Sequence, residues 1–134
     1  MDRRVAAAIA CATVLVAAAP ARAVDRDTVM ATAKSFATHV WQSTQANVTA
    51  SCSSSYRSDY APGTNVGVCY DWGGWKSLDE FDAELAAGQG AGSHSKDGIL
   101  SCTTGVDCSG FVSKCWEEDQ YTTSSVDRIS TKIS

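Results

Sequence analysis

A cysteine stands at the predicted start of a helix near the C-terminal end of the sequence. Asp107 occupies the position of an N-cap, so Cys108 would be at or near the first helical residue. A thiol there faces unpaired backbone N–H groups and the positive end of the helix dipole, which favour thiolate over thiol. The sequence therefore predicts a nucleophile at Cys108. The helix itself is indicated by apolar or weakly polar residues at the spacing of one helix face: Cys108, Phe111, Val112, Cys115 and Trp116.

Two further helices are predicted around this cysteine. Residues 25–41 begin with the capping candidates Asp25 and Asp27 and carry an apolar stripe at helical spacing. Ser77 and Glu80 form a capping box that opens the second helix, and Gly88 ends it. The first stripe can cover the apolar face of the cysteine helix. Its members are Val29, Ala33, Phe36, Val40 and Trp41.

The remaining segments lack such periodicity. Residues 43–66 are polar and Ser-rich and are predicted to form a loop, with a weak glycosylation sequon at Asn47. Residues 88–98 hold four glycines among polar residues and are predicted to be a mobile surface loop. Residues 66–75 combine glycines with aromatics, which is typical of a core corner or of a cleft wall, and composition alone favours the core corner. His39 lies off the apolar stripe, so we interpret it as a solvent-facing side chain.

Residues 1–23 have the features of a secretory signal. A short charged start precedes the apolar run 5–19, and Ala21-Arg22-Ala23 matches an A-x-A cleavage site. The run is too short to span a membrane, and no later stretch is long enough. Lipid attachment at Cys11 is the less favoured alternative. We therefore expect a secreted, periplasmic or cell-envelope protein with one small domain at residues 24–134.

Composition narrows the possible partners. The net charge is −4, and no cluster of Lys or Arg occurs. A mildly acidic chain of this kind argues against binding to nucleic acid or to an anionic membrane.

The chain has six cysteines, and Cys11 falls within the signal, which leaves an odd number. An exported protein with an odd count has a free thiol or an intermolecular bridge, and the bridge would give a covalent dimer. Cys108 and Cys115 lie about 10 Å apart along a helix, too far to bond each other. Spacing does not settle the connectivity; we expect Cys52–Cys69 and Cys102–Cys115, with Cys108 free and the chain monomeric. No C-x₂-C pair occurs, which disfavours zinc, and no metal or cofactor is expected.

Two motifs in this order resemble the NlpC-type family of papain-like cell-wall cysteine peptidases. They are Tyr70-Asp71-Trp72-Gly73-Gly74 and the later Asp107-Cys108-Ser109-Gly110-Phe111. The resemblance covers about residues 66–117, and the linker 75–106 is longer than is common in that family. It implies an α+β fold in which this chain forms the N-terminal, mainly helical half of a papain-like domain. The antiparallel sheet would lie largely beyond residue 134.

The resemblance also implies roles for individual residues. Cys108 would attack a peptide carbonyl, with its own backbone N–H as an oxyanion donor. Tyr70 would line the cleft beside it, together with Trp72. Asp107 and Ser109 would bind the free amino end of the substrate, as in family members that cleave after D-glutamate in the stem peptide.

The family places its histidine base after the cysteine, whereas both histidines here, His39 and His94, precede Cys108. This departure predicts a fragment whose base lies beyond the last residue. The leading hypothesis is an exported peptidase or amidase of peptidoglycan stem peptides that is incomplete in this chain. The alternative is a disulfide-stapled cell-wall-binding module or inactive pseudo-enzyme, for which Tyr70 and Trp72 would suffice.

Overall fold

Four α-helices and two two-stranded sheets make up the part of the chain that the computed structural model describes, residues 24–51 and 53–129. This mixed α/β composition agrees with the predicted α+β class, but the short strands within the described residues were not predicted. The helices are α1 (Arg26–Thr38), α2 (Gln45–Val48), α3 (Leu78–Ala86) and α4 (Cys108–Cys115). The strands are β1 (Val40–Ser43), β2 (Gly63–Val66), β3 (Gly90–Ala91) and β4 (Thr103–Thr104), and two 3₁₀ turns cover Ser95–Asp97 and Val126–Ile129.

Helix α1 begins as predicted but ends at Thr38 rather than at Trp41. The Asp25 side chain caps it by accepting a hydrogen bond from the Thr28 N–H at 3.0 Å. Val40 and Trp41 lie in β1, where Val40 is 61% exposed and Trp41 is 4% exposed. That alternation belongs to a strand, and β1 pairs antiparallel with β2. The helical prediction was therefore wrong for these two residues.

The segment 43–66, predicted to be a loop, contains α2 and β2. The side chain of Asn47 anchors it to the rest of the fold. The Asn47 side chain is fully buried. Its amide nitrogen donates to the carbonyl oxygens of Leu85 at 2.8 Å and Gln89 at 2.7 Å, and its oxygen accepts from the Thr44 N–H at 2.7 Å. These bonds tie α2 to the end of α3. Because this amide is buried, the Asn47 side chain of the folded domain is not accessible for glycosylation.

Helix α3 follows its prediction closely. Ser77 Oγ accepts from the Glu80 N–H, and the Glu80 carboxylate accepts from the Ser77 N–H at 2.8 Å, which completes the predicted capping box. Phe81 and Leu85 are buried. The Phe81 ring meets the Trp41 indole edge to face at 5.3 Å, so α3 and β1 share the main core.

The glycine-rich segment 88–98 is partly buried, and the prediction of a mobile surface loop was wrong for its first half. It contains β3, which pairs in parallel with β4. A Cβ at Gly90 would lie 2.7 Å from the Tyr56 ring. Gly92 has a φ of +73°, and a Cβ there would overlap the Tyr70 carbonyl oxygen. Because Gly90 and Gly92 have no side chain, the backbone can pack closely against its neighbours here.

Helices α1 and α4 pack against each other, as their apolar faces predicted. The rings of Phe36 and Phe111 meet edge to face with centroids 5.8 Å apart. Phe36 is 6% exposed, whereas Cys108 at the start of α4 is exposed. The packing therefore fixes α4 while it leaves the thiol at the surface.

Both predicted disulfides were wrong. Cys69 and Cys115 are free and buried, and Cys108 is free and exposed. Cys102 is disulfide-bonded, so its bond is not to any of these three. Cys69 Sγ instead donates to the Thr104 carbonyl oxygen at 3.1 Å inside the core. Cys108 is a free thiol, as predicted.

The predicted signal at 1–23, with Cys11, and the predicted disulfide candidate Cys52 lie outside the described residues. Within residues 24–51 and 53–129, no helix is long and apolar enough to cross a membrane.

Candidate active site

Cys108 is the first residue of α4, with Asp107 as the N-cap. The Asp107 Oδ1 accepts hydrogen bonds from the Gly110 N–H at 2.6 Å and from the Ser109 hydroxyl at 2.8 Å. Within the described chain, the backbone N–H groups of Cys108 and Ser109 have no acceptor. Such N–H groups at a helix start can stabilise a negative charge.

The start of α4 lies directly against the Gly73–Gly74 bend. Gly110 is buried, and a Cβ on it would overlap the Gly74 carbonyl oxygen. That oxygen accepts a hydrogen bond from the Asp107 N–H at 3.0 Å. Gly110 must therefore lack a side chain for this contact to form. A Cβ at Gly74 would meet a different neighbour, the Gly105 carbonyl oxygen, at 2.6 Å.

Val106 connects the two motifs through its backbone. Its N–H donates to the Cys69 carbonyl oxygen at 3.1 Å, and its own carbonyl oxygen accepts from the Asp71 N–H at 3.0 Å. Tyr70 and Trp75 both form β-bridges with it. The segment around Tyr70 therefore wraps the residue that precedes the N-cap, which places Tyr70 near Cys108.

Cys108 opens onto a groove of about 300 Å³. Its walls are mainly apolar, and Tyr70 is 44% exposed beside the thiol. Burial, followed by the nearby charges of Cys108, Asp107 and Asp71, raises the pKa of the Tyr70 hydroxyl. The hydroxyl therefore stays protonated at neutral pH and can donate a hydrogen bond to a substrate. The groove is lined by Phe36, Ala37, Val68, Tyr70, Val106, Asp107, Cys108 and Phe111.

Asp71 and Ser93 hold the bend that carries Tyr70. The Ser93 hydroxyl donates to the Asp71 carboxylate at 2.7 Å and accepts from the Trp72 N–H at 3.0 Å. Asp71 is only 4% exposed. Ser93 therefore fixes the backbone on both sides of Asp71, because its own N–H also donates to the Tyr70 carbonyl oxygen at 3.0 Å. The sequence motif had assigned Asp71 no role.

Burial raises the pKa of Asp71, and hydrogen bonds from Ser93 and Thr103 and the charge of Lys76 oppose that shift. The folded chain thus holds this proton more tightly than the unfolded chain. The resulting stabilisation is complete below the unfolded pKa of about 3.9 and is lost as pH rises through the folded pKa. We expect the free energy of unfolding of the parent chain, measured relative to that of Asp71→Asn, to fall as the pH rises from the unfolded pKa to the folded pKa. Urea unfolding of both chains from pH 3 to pH 7 measures the difference, and a relative stability that rises with pH would contradict the assignment.

The two histidines lie elsewhere. His39 Nε2 is 2.7 Å from the Asp82 carboxylate, and the His39 side chain is 18% exposed, so it is only partly solvent-facing. His94 Nε2 is 2.9 Å from the Asp59 carboxylate. The residues that line the Cys108 groove include neither histidine.

The structure brings together most of the predicted site. Tyr70, Asp107 and Cys108 line one groove, and Ser109 is bonded to Asp107. Trp72 is 40% exposed but does not line that groove. Since Tyr70 and Trp72 are both at the surface, the core-corner interpretation of this segment was wrong for them. Within the described ranges, no group of His, Cys, Asp or Glu could hold a metal ion.

Sequence reasoning missed the groove's apolar wall and the Ser93 anchor. Phe36 was assigned only to a core, and its contact with Phe111 makes it a wall of the groove as well. Ser93 stands in a glycine-rich segment that gave no periodic signal. Its link to Asp71 spans 22 positions in the chain, so no local pattern could have found it.

Comparisons of the chain with protein-family models, with curated proteins and with solved structures gave no match.

Proposed function

We propose that this chain carries the nucleophile and cleft of an exported, NlpC-type papain-like cysteine peptidase or amidase that acts on peptidoglycan stem peptides. One observation carries the proposal. The Tyr70 bend is hydrogen-bonded around Val106, immediately before the Asp107 cap, and places Tyr70 in the groove of an exposed Cys108. The two motifs on which the family resemblance depends are thus parts of one site.

The chemistry assigned to Cys108 is acyl transfer. The thiolate adds to a peptide carbonyl carbon, and the carbonyl oxygen takes up the negative charge. The unpaired N–H of Cys108 can donate to that oxygen. Collapse of this tetrahedral intermediate breaks the C–N bond and expels the amine, which gains a proton. The acyl group remains on Sγ as a thioester. Water then releases the acid and restores the thiol.

The proton transfers require a base, and no histidine lines the groove. The proposal therefore assigns the nucleophile, helix start and cleft tyrosine to the described residues, and it assigns no base to them. The 134-residue chain alone should acylate but turn over slowly.

The disulfide at Cys102 supports the exported location. Structural disulfides form and persist in oxidising compartments and are rare in the cytosol. Export and a cell-wall substrate are thus compatible parts of one proposal.

A covalent affinity label tests the substrate class without requiring turnover. We expect L-alanyl-γ-D-glutamyl chloromethyl ketone to alkylate Cys108 faster than its γ-L-glutamyl diastereomer, as mapped by mass spectrometry. The diastereomer is a matched control because it has the same reactive group and charge. Equal rates for the two labels would contradict a stem-peptide substrate.

A non-enzymatic function is the second candidate, and the absence of histidine from the groove lining favours it. A binding module or pseudo-enzyme would hold the same peptides through Tyr70 and the exposed Trp72. It predicts binding of the peptide that survives Cys108→Ala, with no covalent product from an activated ester.

A further inference from the structure

A second cavity, of about 140 Å³, shares Tyr70 with the Cys108 groove. Its floor is the buried chain from Ala91 to Ser93. Its rim is formed by segment 57–60 and His94. Because one tyrosine lines both cavities, a ligand that lies along Tyr70 can reach both.

Arg57 is the permanent cation of this second cavity. Its Nη1 donates to the carbonyl oxygens of Tyr56 and Ser54, which restricts the guanidinium. Within residues 24–51 and 53–129, no carboxylate pairs with it. Arginine is suited to bind a carboxylate because its donors form a planar fork.

The other polar groups of the cavity are mainly donors or are already bonded. The Asp59 carboxylate is engaged by His94 at 2.9 Å. The Ser58 hydroxyl donates to the Ala91 carbonyl oxygen at 2.6 Å. Burial, then the charges of Cys69 and Asp59, raises the pKa of Tyr60, so its hydroxyl remains a donor at neutral pH. The cavity is therefore better suited to an acceptor group than to an amine.

We infer that this cavity, bounded by Arg57, Tyr60 and Tyr70, binds a carboxylate of the peptide whose scissile bond lies at Cys108. The inference rests on the proposed function and adds to it a requirement for a negatively charged group on the substrate. Tyr70, as the shared wall, would contact the peptide between its carboxylate and the reacting carbonyl.

Protection of Cys108 from iodoacetamide tests this in the full chain without turnover. The probes are L-alanyl-γ-D-glutamate and the same dipeptide with its α-carboxylate converted to a carboxamide. We expect the acid to protect at about tenfold lower concentration than the amide, the effect of one charge-assisted hydrogen bond. Arg57→Gln should remove that difference, Arg57→Lys should restore part of it, and Arg26→Gln, at an exposed position of α1, should leave it unchanged.

The outcomes separate this inference from the proposed function. Equal protection by acid and amide in the parent chain would overturn the carboxylate site while leaving the peptidase proposal intact. An acid preference that survives Arg57→Gln would also overturn it. If neither probe protects Cys108, both the cavity's role and the stem-peptide substrate are wrong. The comparison of the two probes on the parent chain does not depend on any variant folding.

Discussion

Gly110→Ala is expected to destabilise the folded chain by about 3 kcal/mol, at the upper end for overpacking. Alanine is normally favoured over glycine inside a helix by about 1 kcal/mol. Here the added Cβ would overlap the Gly74 carbonyl oxygen, so α4 must move away from the bend. The movement would also break the hydrogen bond from the Asp107 N–H to Gly74. Urea unfolding monitored by circular dichroism measures the loss.

Ser35→Ala is the matched control, since Ser35 is an exposed position of α1 and the change also introduces alanine into a helix. We expect that variant to be within about 0.5 kcal/mol of the parent, as is usual for surface substitutions. An unchanged or increased stability for Gly110→Ala would show that α4 does not pack on the bend as described.

The free thiols are expected to differ in alkylation rate by at least about a hundredfold in the folded chain, since opening a core segment costs several kcal/mol. Cys108 is exposed, whereas Cys69 and Cys115 are buried. Burial raises the pKa of both buried thiols, which lowers their thiolate fraction further. Iodoacetamide at neutral pH under non-reducing conditions should therefore modify Cys108 first.

Peptide mapping by mass spectrometry at successive times gives the rate for each cysteine. Cys108→Ser should remove the fast phase, and unfolding in urea should bring the rates for Cys69 and Cys115 close to each other. A fast phase that maps to Cys69 or Cys115 would contradict the described core.

The helices that border the site could be predicted because their signals are local. The Ser77 and Glu80 capping box and the Asp107 cap each lie within one turn of the helix that they begin, and both form as expected. The position of Cys108 at the first residue of α4 followed from that cap. Local patterns of this kind depend little on the rest of the fold.

The β structure was missed because its signals are tertiary. Val40 and Trp41 continue the helical spacing of α1, but the chain turns at His39 and Trp41 enters the core beside Phe81. The short strands β3 and β4 contain glycine and threonine and carry no periodic pattern. The segment that carries β3 packs closely on Tyr56 and on the Tyr70 carbonyl oxygen, and Gly90 and Gly92 allow that packing.

The disulfide pairing was missed because the number and spacing of cysteines do not say which of them the fold brings within bonding distance. Cys69 is fully buried and its thiol is bonded to a backbone carbonyl, so it acts as a small core residue. Cys115 is 4% exposed on the inner side of α4. Both are free thiols, whereas the likewise buried Cys102 is disulfide-bonded, and the odd count alone could not distinguish them.

The central claim is that folding makes Cys108 a nucleophile, and acylation by p-nitrophenyl acetate tests it directly. We expect a burst of about one p-nitrophenol per chain, with the acetyl group on Cys108, because the thiolate is the attacking species. The rate at Cys108 should be higher in the folded chain than in the urea-unfolded chain, since only the folded chain has the α4 helix start. A burst that persists in Cys108→Ala, or a Cys108 that reacts no faster folded than unfolded, would contradict the claim.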